Sequence, residues 1–312
     1  MILSASRRTD IPALYAEWMM NRLRSGFVLT ANPFNARQVS KVPLSPRLVD
    51  MIVFWSKQPE PMLKYLNELD DMGYVYFFQY TLTGFGSDME ACLDDTERRI
   101  DTFLALSERL GPMRVDWRFD PVLFCEGYPM EEHILRFERL ARRLAPYTTR
   151  CIFSFADPYA RSSSWIHPAS DQEQKCFAQQ IAAIAKSLRL PLYTCCEKGD
   201  FSDLGIGHAS CIDQKKIELI LGAPIRARKH AGQRNGCGCI ESVDIGAYDT
   251  CVHRCAYCYA THSASLSRAR FASHDPTAPS LVPLSENARI SEKAVQSNRR
   301  MPLSNSLWQA QR

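Results

Sequence analysis

The sequence lacks any run of eighteen or more apolar residues, and its opening residues, MILSASRRTD, place arginines directly after a very short apolar stretch. These two absences argue against a membrane span and a secretory signal peptide, so we expect a cytoplasmic protein with no membrane partner. An internal repeat and a low-complexity tract are also missing, and the net charge of +4 is mild. The basic run RARKH at 226–230 could meet phosphate or face water, so nucleic-acid binding stays open without being indicated.

Cysteine, in contrast, is abundant, with twelve residues. In a reducing compartment these are metal ligands, reactive thiols or small buried residues rather than a disulfide framework. Four stand alone beside apolar segments and are expected to be packing residues: Cys92, Cys125, Cys151 and Cys176. The other eight all follow residue 190. Thiolates at that density repel one another and oxidise readily, which favours a metal centre that neutralises them.

Short β-branched and aromatic runs alternate with longer amphipathic segments, a pattern typical of the α/β class. The predicted strands are 1–6, 27–32, 51–56, 74–82, 114–119, 150–156 and 190–195, and the predicted helices are 11–25, 59–71, 88–110, 129–145 and 169–188. We expect one α/β domain over 1–267 that includes the cysteine-rich end. Residues 268–312 lack a sustained apolar face and are expected to form a polar, loosely attached tail.

Polar residues gather where the predicted strands end, and in a parallel barrel or open sheet these carboxyl ends form the site face. The set is Arg7, Arg8, Asp10, Ser56, Lys57, Gln58, Gln79, Thr81, Thr83, Arg118, Asp120, Ser154, Asp157, Cys195 and Glu197. Taken singly, Asp10 and Asp157 are equally well explained as helix caps. The four cations among them, Arg7, Arg8, Lys57 and Arg118, suggest an anionic substrate such as a nucleotide.

The cysteines after residue 190 fall into two groups. Cys251, Cys255 and Cys258 lie in CVHRCAYC, a C-x3-C-x2-C spacing that suits an iron–sulfur cluster better than the paired C-x2-C knuckles of zinc sites. Cys195, Cys211, Cys237 and Cys239 could complete a second, fully ligated cluster or a structural zinc site. Alternatively, GCGC at 236–239 is a flexible turn and Cys195 a packing residue. Cys196 alternates with Cys195 along the predicted strand and should point to the opposite face.

The C-x3-C-x2-C spacing with an aromatic residue before its last cysteine resembles the signature of radical S-adenosylmethionine enzymes, and its flanks, DIGAYDT and YA, resemble those of spore photoproduct lyase relatives. That resemblance implies that Cys251, Cys255 and Cys258 hold three irons of a [4Fe–4S] cluster. The fourth iron would bind the amino and carboxylate groups of S-adenosylmethionine. Tyr257 would pack beside the cluster or the adenine.

Several segments together resemble the bacterial family called domain of unknown function 1848, over roughly 1–280. They are MILSASRRTDIP, FWSKQP, YFFQYTLTG, WRFDP, TCCE, CID, GCGCIESVDIGAYDTCVHRCAYCYA and SHDP. The resemblance implies no particular substrate. In ordinary radical enzymes the triplet follows the first barrel strand, whereas here it follows every predicted strand. We therefore expect a single TIM-like parallel β/α barrel, complete or incomplete, that is circularly rearranged so that 241–250 supplies the first strand. An obvious Gly-Gly-Glu segment for the cofactor's amino group is missing.

Two functions stand at this point. The first is an iron–sulfur enzyme that cleaves S-adenosylmethionine and acts on a small-molecule or nucleotide-like substrate, with an electron donor such as a flavodoxin or ferredoxin. The second is a non-catalytic protein whose iron–sulfur or zinc centre stabilises the fold or senses redox state. The polar residues at the strand ends favour the enzyme, because a structural metal site has no need of them.

Overall fold

The computed structural model describes residues 1–157, 164–233 and 236–299. Its strands are β1 (Ile2–Ala5), β2 (Phe27–Asn32), β3 (Asn35–Pro43), β4 (Met51–Ser56), β5 (Tyr76–Thr81), β6 (Val115–Val122), β7 (Cys151–Phe155), β8 (Leu192–Thr194), β9 (Gly207–His208), β10 (Val243–Asp244) and β11 (Arg289–Glu292). Its helices are α1 (Ile11–Leu14), α2 (Ala16–Ser25), α3 (Glu60–Leu63), α4 (Leu66–Asp71), α5 (Thr96–Leu110), α6 (Met130–Leu144), α7 (Asp171–Ser187), α8 (Gln214–Leu221) and α9 (Ala264–Ala272). Within these described ranges, no helix has the length and apolar character needed to cross a bilayer.

The main sheet has eight parallel strands in the order β10-β1-β4-β5-β6-β7-β8-β9. This confirms the predicted α/β class with its parallel sheet. Six of the seven predicted strands lie in it. The seventh, β2, lies instead in a small sheet of order β11-β3-β2. In that sheet β3 was not foreseen, because its NARQVSKVP sequence is mostly polar and half of it is exposed.

The two faces of the main sheet are covered differently, because side chains alternate along each strand. Along β4, Ile52 and Phe54 point into the large core beneath the helices, whereas Met51 and Val53 belong to a second cluster. That second cluster contains residues of α8 and four buried cysteines, Cys195, Cys211, Cys237 and Cys239. The cysteine-rich segments therefore pack on the face of the sheet that lies opposite the main helices.

β10 occupies one edge of the main sheet. It is only two residues long, much shorter than the predicted 241–250, and among the described residues it pairs with β1 alone, through Leu3–Val243 and Ser4–Asp244. A second neighbour for β10, which a closed barrel with 241–250 as its first strand requires, is not found among the described residues. The pairings among them run from β10 at one edge to β9 at the other, and establish a parallel sheet without establishing closure into a barrel.

The start of one predicted helix shifts, and the described part of the predicted tail contacts the rest of the fold. The helix expected over 88–110 begins at Thr96, because the side chain of Asp95 caps it by accepting from the Arg98 backbone N–H. The segment expected to be a loose tail makes specific contacts in its described part: β11 pairs with β3, and Asp50 accepts hydrogen bonds from Ser297 and Asn298. Residues 300–312 lie outside the described residues.

Candidate metal centre and its cavity

A cavity of about 440 Å³ opens at the carboxyl edge of the main sheet. This volume lies in the range of about 300–1,000 Å³ that is typical of ligand pockets. Both cysteine groups line it, and so do all four predicted substrate-binding cations and Tyr257: Arg7, Arg8, Lys57, Arg118, Cys195, Cys211, Cys237, Cys239, Cys251, Cys255, Tyr257 and Cys258. The structure thus brings the predicted site residues together in one place, although they come from seven separate stretches of sequence.

The triplet lies on a loop that follows β10. The two ends of the loop meet where the Asp249 N–H donates to the Ala260 carbonyl at 3.0 Å. Its middle is held on the segment after β5, where the Ala256 N–H donates to the Met89 carbonyl at 2.9 Å and Cys255 pairs with Glu90. Backbone hydrogen bonds therefore hold much of the loop, and of its thiols Cys258 also accepts from the Ala260 backbone N–H at 3.4 Å.

The three thiols of the triplet are half-buried. Burial and the charge of Asp10 raise the pKa of Cys251 to about 12, and the pKa of Cys255 is raised by burial and lowered by the Lys57 ammonium. The raised pKa values mean that Cys251 and Cys255 stay protonated at neutral pH in the protein as it stands.

Lys57 is paired inside the protein. Its Nζ donates to Glu90 Oε1 at 2.8 Å and to the Tyr257 hydroxyl at 2.8 Å, and Glu90 also accepts from Arg99 at 2.7 Å. Burial raises the pKa of Glu90, but the charges of Lys57 and Arg99 outweigh it and hold the pKa at about 2. The Tyr257 hydroxyl donates to the same carboxylate, and its ring packs on Phe85 at 5.5 Å. Glu90, which nothing in the sequence singled out, therefore orients Lys57 and Tyr257 beside the triplet.

Asp10 caps α1, as its helix-cap interpretation predicts, and also holds the triplet loop. One carboxylate oxygen accepts from the Ala13 N–H at 3.1 Å; the other accepts from the Lys57 N–H at 2.7 Å and meets His253 Nε2 at 3.0 Å. Because His253 lies between Cys251 and Cys255, this contact fixes the loop to the end of β1. His253 is occupied by a carboxylate and is not arranged as a fourth ligand.

The second group of cysteines is fully buried and is assembled from three distant segments. The Sγ atoms of Cys195 and Cys211 lie 3.0 Å apart, and the Cys239 Sγ accepts from the Ile212 backbone N–H at 3.4 Å. The hydrogen bond with Cys239 lowers the pKa of Cys237 to about 7. Gly238 permits this approach, since a Cβ there would meet the Ser210 hydroxyl.

Arg118 lies against this second group. Its Nη1 donates to Cys211 Sγ at 2.6 Å, and its Nη2 is paired with Asp120. The guanidinium stacks on Trp55 at 5.2 Å, and Arg7 stacks on the same ring at 4.9 Å. Arg118 lines the cavity as predicted, but its charge is already engaged by a thiol and a carboxylate rather than directed at a substrate.

Arg7 and Arg8 differ in their partners. Arg8 forms an ion pair with Asp244 at 3.5 Å, and Asp244 also accepts from Ser4 at 2.9 Å and from the Arg7 backbone N–H at 2.9 Å. Arg7 Nη2 is buried and has no hydrogen-bond partner within the described ranges. Asp244, in β10, was missed by sequence reasoning because its partners lie some 240 residues away in the chain.

A buried carboxylate also supports the second cysteine group. Asp116 accepts from Arg150 at 2.7 Å and from Lys216 at 2.5 Å, and these two charges hold its pKa below the usual range although burial raises it. Gln79 donates both to Asp116 at 2.8 Å and to the Cys211 carbonyl at 2.8 Å. Through Gln79, the network of Asp116, Arg150 and Lys216 therefore contacts the backbone carbonyl of Cys211.

Two predictions about single cysteines are corrected. Cys196 lines the same cavity as Cys195, because β8 ends at Thr194 and Cys196 has φ of 64°, so strand alternation no longer applies. Of the four expected packing cysteines, Cys151 is buried, Cys125 and Cys176 are half-buried and Cys92 is exposed. The packing prediction is therefore wrong for Cys92.

The triplet presents three thiols, Cys251, Cys255 and Cys258, to the cavity. In residues 1–157, 164–233 and 236–299, no group of three or more His, Cys, Asp or Glu side chains is arranged to hold a metal ion. In an iron–sulfur cluster each thiolate binds a different iron, so the thiols surround the cluster instead of meeting at one point. Three half-buried thiols that line one cavity are the donors that such a cluster would use.

These features define an α/β protein whose parallel sheet ends in a cysteine-lined cavity. The chain belongs to the family described as "Domain of unknown function (DUF1848)", whose model matches residues 2–260. The matched region includes both cysteine groups and every cation of the cavity. No curated protein and no solved structure matches the chain.

Proposed function

We propose that this protein is a radical S-adenosylmethionine-type enzyme in which Cys251, Cys255 and Cys258 hold a [4Fe–4S] cluster. The observation that carries the proposal is that the triplet and the polar strand ends line one ligand-sized cavity. When bound, such a cluster supplies an electron through its open iron for the cleavage of S-adenosylmethionine. A flavodoxin or ferredoxin is the class of partner that would deliver the electron.

The order of the strands supports the circular rearrangement. β10 precedes the triplet and stands first in the spatial order of the sheet, next to β1. Gly246 lies between β10 and the triplet, and a Cβ there would come within 2.6 Å of the Ser6 Cβ. The chain after β10 thus passes closely over the end of β1 and delivers the triplet to the carboxyl edge, as the first strand of a barrel would.

The residues around the triplet have distinct roles under this proposal. Lys57 places a positive charge beside Cys255, which favours the thiolate that binds iron. Glu90 holds that ammonium and the Tyr257 hydroxyl in place. Tyr257 forms part of the wall against which S-adenosylmethionine would lie.

The substrate is a small molecule that shares the cavity with the cofactor. Lys57, Arg8 and Arg118 are paired with Glu90, Asp244 and Asp120. Arg7 is the cation of the cavity whose Nη2 is buried without a partner among the described residues, so it is our candidate for an anionic group of the substrate.

The test is anaerobic reconstitution with iron and sulfide, followed by reduction and an assay for 5′-deoxyadenosine from added S-adenosylmethionine. We expect a brown protein that forms 5′-deoxyadenosine. The Cys176→Ala protein is the matched control, because Cys176 lies in α7 away from the cavity. Iron uptake without 5′-deoxyadenosine would favour the non-catalytic alternative, and zinc without iron would exclude both iron-based hypotheses.

A further inference from the structure

The second group of cysteines has no part in the proposed cleavage of S-adenosylmethionine. We propose that Cys195, Cys211, Cys237 and Cys239 hold a second iron–sulfur centre in the opposite part of the cavity wall. This site does not depend on the function of the triplet, because none of its four residues belongs to the triplet loop.

The packing of these side chains is unusual for cysteines that serve only as apolar residues. All four are buried and line one cavity, and the Sγ atoms of Cys195 and Cys211 lie 3.0 Å apart. Isolated buried cysteines pack against aliphatic groups. These four also belong to the second apolar cluster, but they come from three segments and meet at one cavity wall, where a metal centre would give them a common partner.

The polar groups around the four cysteines suit an anionic centre. Arg118 Nη1 lies 2.6 Å from Cys211 Sγ, and the Ile212 backbone N–H donates to Cys239 Sγ at 3.4 Å. Positive charge and backbone N–H groups directed at sulfur stabilise a thiolate-bound cluster and tune its potential. A protonated, neutral thiol gains much less from a buried guanidinium than a thiolate bound to a metal does.

The arrangement favours iron and sulfide over zinc. Structural zinc sites place four ligands around one ion, usually with C-x2-C pairs. Here the spacing of Cys237 and Cys239 is C-x-C, which is not such a pair. Four cysteines supply the number of thiolates that a fully ligated iron–sulfur centre takes.

The decisive experiment removes the triplet and leaves the second group untouched. The full-length Cys251→Ala/Cys255→Ala/Cys258→Ala protein is reconstituted anaerobically with iron and sulfide, and iron, acid-labile sulfide and zinc are measured per chain. We expect about four irons and about four sulfides per chain, with the visible absorption and electron paramagnetic resonance of a reduced [4Fe–4S] centre. Addition of Cys237→Ala and Cys239→Ala should remove that iron, whereas addition of Cys176→Ala should not.

Three outcomes would overturn the proposal. The triplet-free protein could bind no iron while its circular dichroism remains that of the wild type. It could bind one zinc per chain in place of iron when both metals are supplied. It could also carry a Cys195–Cys211 disulfide, detected by mass spectrometry, and take up iron neither before nor after reduction. Because the triplet is absent from every one of these samples, failure of the proposed enzymatic function cannot produce any of these results.

Discussion

The two cysteine groups of the cavity are assembled in different ways. The triplet comes from eight consecutive residues on a loop whose backbone is tied to its neighbours, and its thiols are half-buried. The second group comes from three segments, is fully buried and forms part of the packing beneath the sheet. The fold should therefore be indifferent to the chemistry of the first group and sensitive to that of the second.

Their supports are alike, which sharpens the contrast. Each group stands near a buried carboxylate with two cations: Glu90 with Lys57 and Arg99 near the triplet, and Asp116 with Arg150 and Lys216 near the second group. Near the triplet, a cation of the network acts on a thiol directly. Near the second group, Gln79 connects the network to a backbone carbonyl. The Glu90 network thus holds two side chains beside the triplet, and the Asp116 network holds a backbone carbonyl of the second group while its Arg150 also interacts with the Cys211 thiol.

The largest effect is expected from single Cys→Ala changes in the triplet. Cys255→Ala should reduce 5′-deoxyadenosine formation to the level of the enzyme-free control, because one iron loses its ligand. Its thermal unfolding should match that of the wild type, since backbone atoms hold the loop. Wild-type turnover by Cys255→Ala, or loss of its folded circular dichroism, would erase the distinction between the two groups.

Removal of metal should destabilise the protein through the second group. A metal centre that ties three distant segments binds the folded chain and not the unfolded one, which gives about 2.7 kcal/mol at a hundredfold excess over its dissociation constant. We expect chelation to lower the Tm of the reconstituted wild type and of the triplet-free protein alike. In Cys195→Ala the same treatment should leave the Tm almost unchanged. A chelator effect that follows the triplet instead would reverse this assignment.

Glu90→Gln should cost about 3–5 kcal/mol in the free energy of unfolding near neutral pH, because it leaves the buried Lys57 and Arg99 without their carboxylate. The folded pKa of Glu90 is about 2, below its ordinary value of 4.5. Its contribution is therefore complete above pH 4.5 and is lost as the pH falls towards 2. Urea unfolding across this range should show the wild-type advantage over Glu90→Gln shrinking as the solution becomes more acidic.

The matched change for that experiment is Asp116→Asn, which removes the corresponding carboxylate near the second group. It should also destabilise the protein, because Arg150 and Lys216 lose their partner. The two variants should differ in activity: Glu90→Gln disturbs Lys57 and Tyr257 and should lower the rate of cofactor cleavage. An equal loss of rate in Asp116→Asn, at temperatures where both proteins are folded, would contradict the assignment of the Glu90 network alone to the triplet.

The smallest effects are expected at two glycines. In Gly246→Ala the new Cβ would lie 2.6 Å from the Ser6 Cβ, which cannot rotate away, so we expect a loss of about 1–3 kcal/mol. In Gly238→Ala only the Ser210 hydroxyl is in the way, and its Cβ is 3.7 Å distant, so a rotation relieves the contact and the change should stay within about 1 kcal/mol. Equal destabilisation in chemical unfolding would show that the GCGC segment is as tightly constrained as the end of β1.

Much of the fold could be predicted because strands buried on both faces are continuously apolar in sequence. MIVFWS became β4 and RCIFSFA contains β7. The polar strand β3 could not be found in this way. The assignment of β2 to the small sheet could not be predicted either, because the apolar pattern of a strand does not indicate which other strands pair with it.

For the site, the sequence predicted which residues line the cavity, but it did not predict which side chains they contact. Strand-end position placed Lys57 and Arg118 in the cavity, as expected. Their engagement depends on Glu90, 33 residues from Lys57, and on Cys211, 93 residues from Arg118. The fold creates such contacts between distant segments, so among the described residues Arg7 is the one of the four predicted cations that keeps a buried nitrogen without a partner.

Asp244 in β10 accepts a hydrogen bond from Ser4 across 240 residues of chain. During synthesis β1 emerges first among the described strands, and β10, its neighbour, emerges close to last. Chain synthesis proceeds at about 5–20 residues per second, so roughly 10–50 s pass between the synthesis of β1 and that of β10. The loop that carries the triplet also rests on Asp10 and on the Arg7 carbonyl, through His253 and Tyr259. The ribosome has therefore made every strand of the main sheet before the triplet loop can reach its place, so under the proposed function iron would be inserted only after those strands are translated.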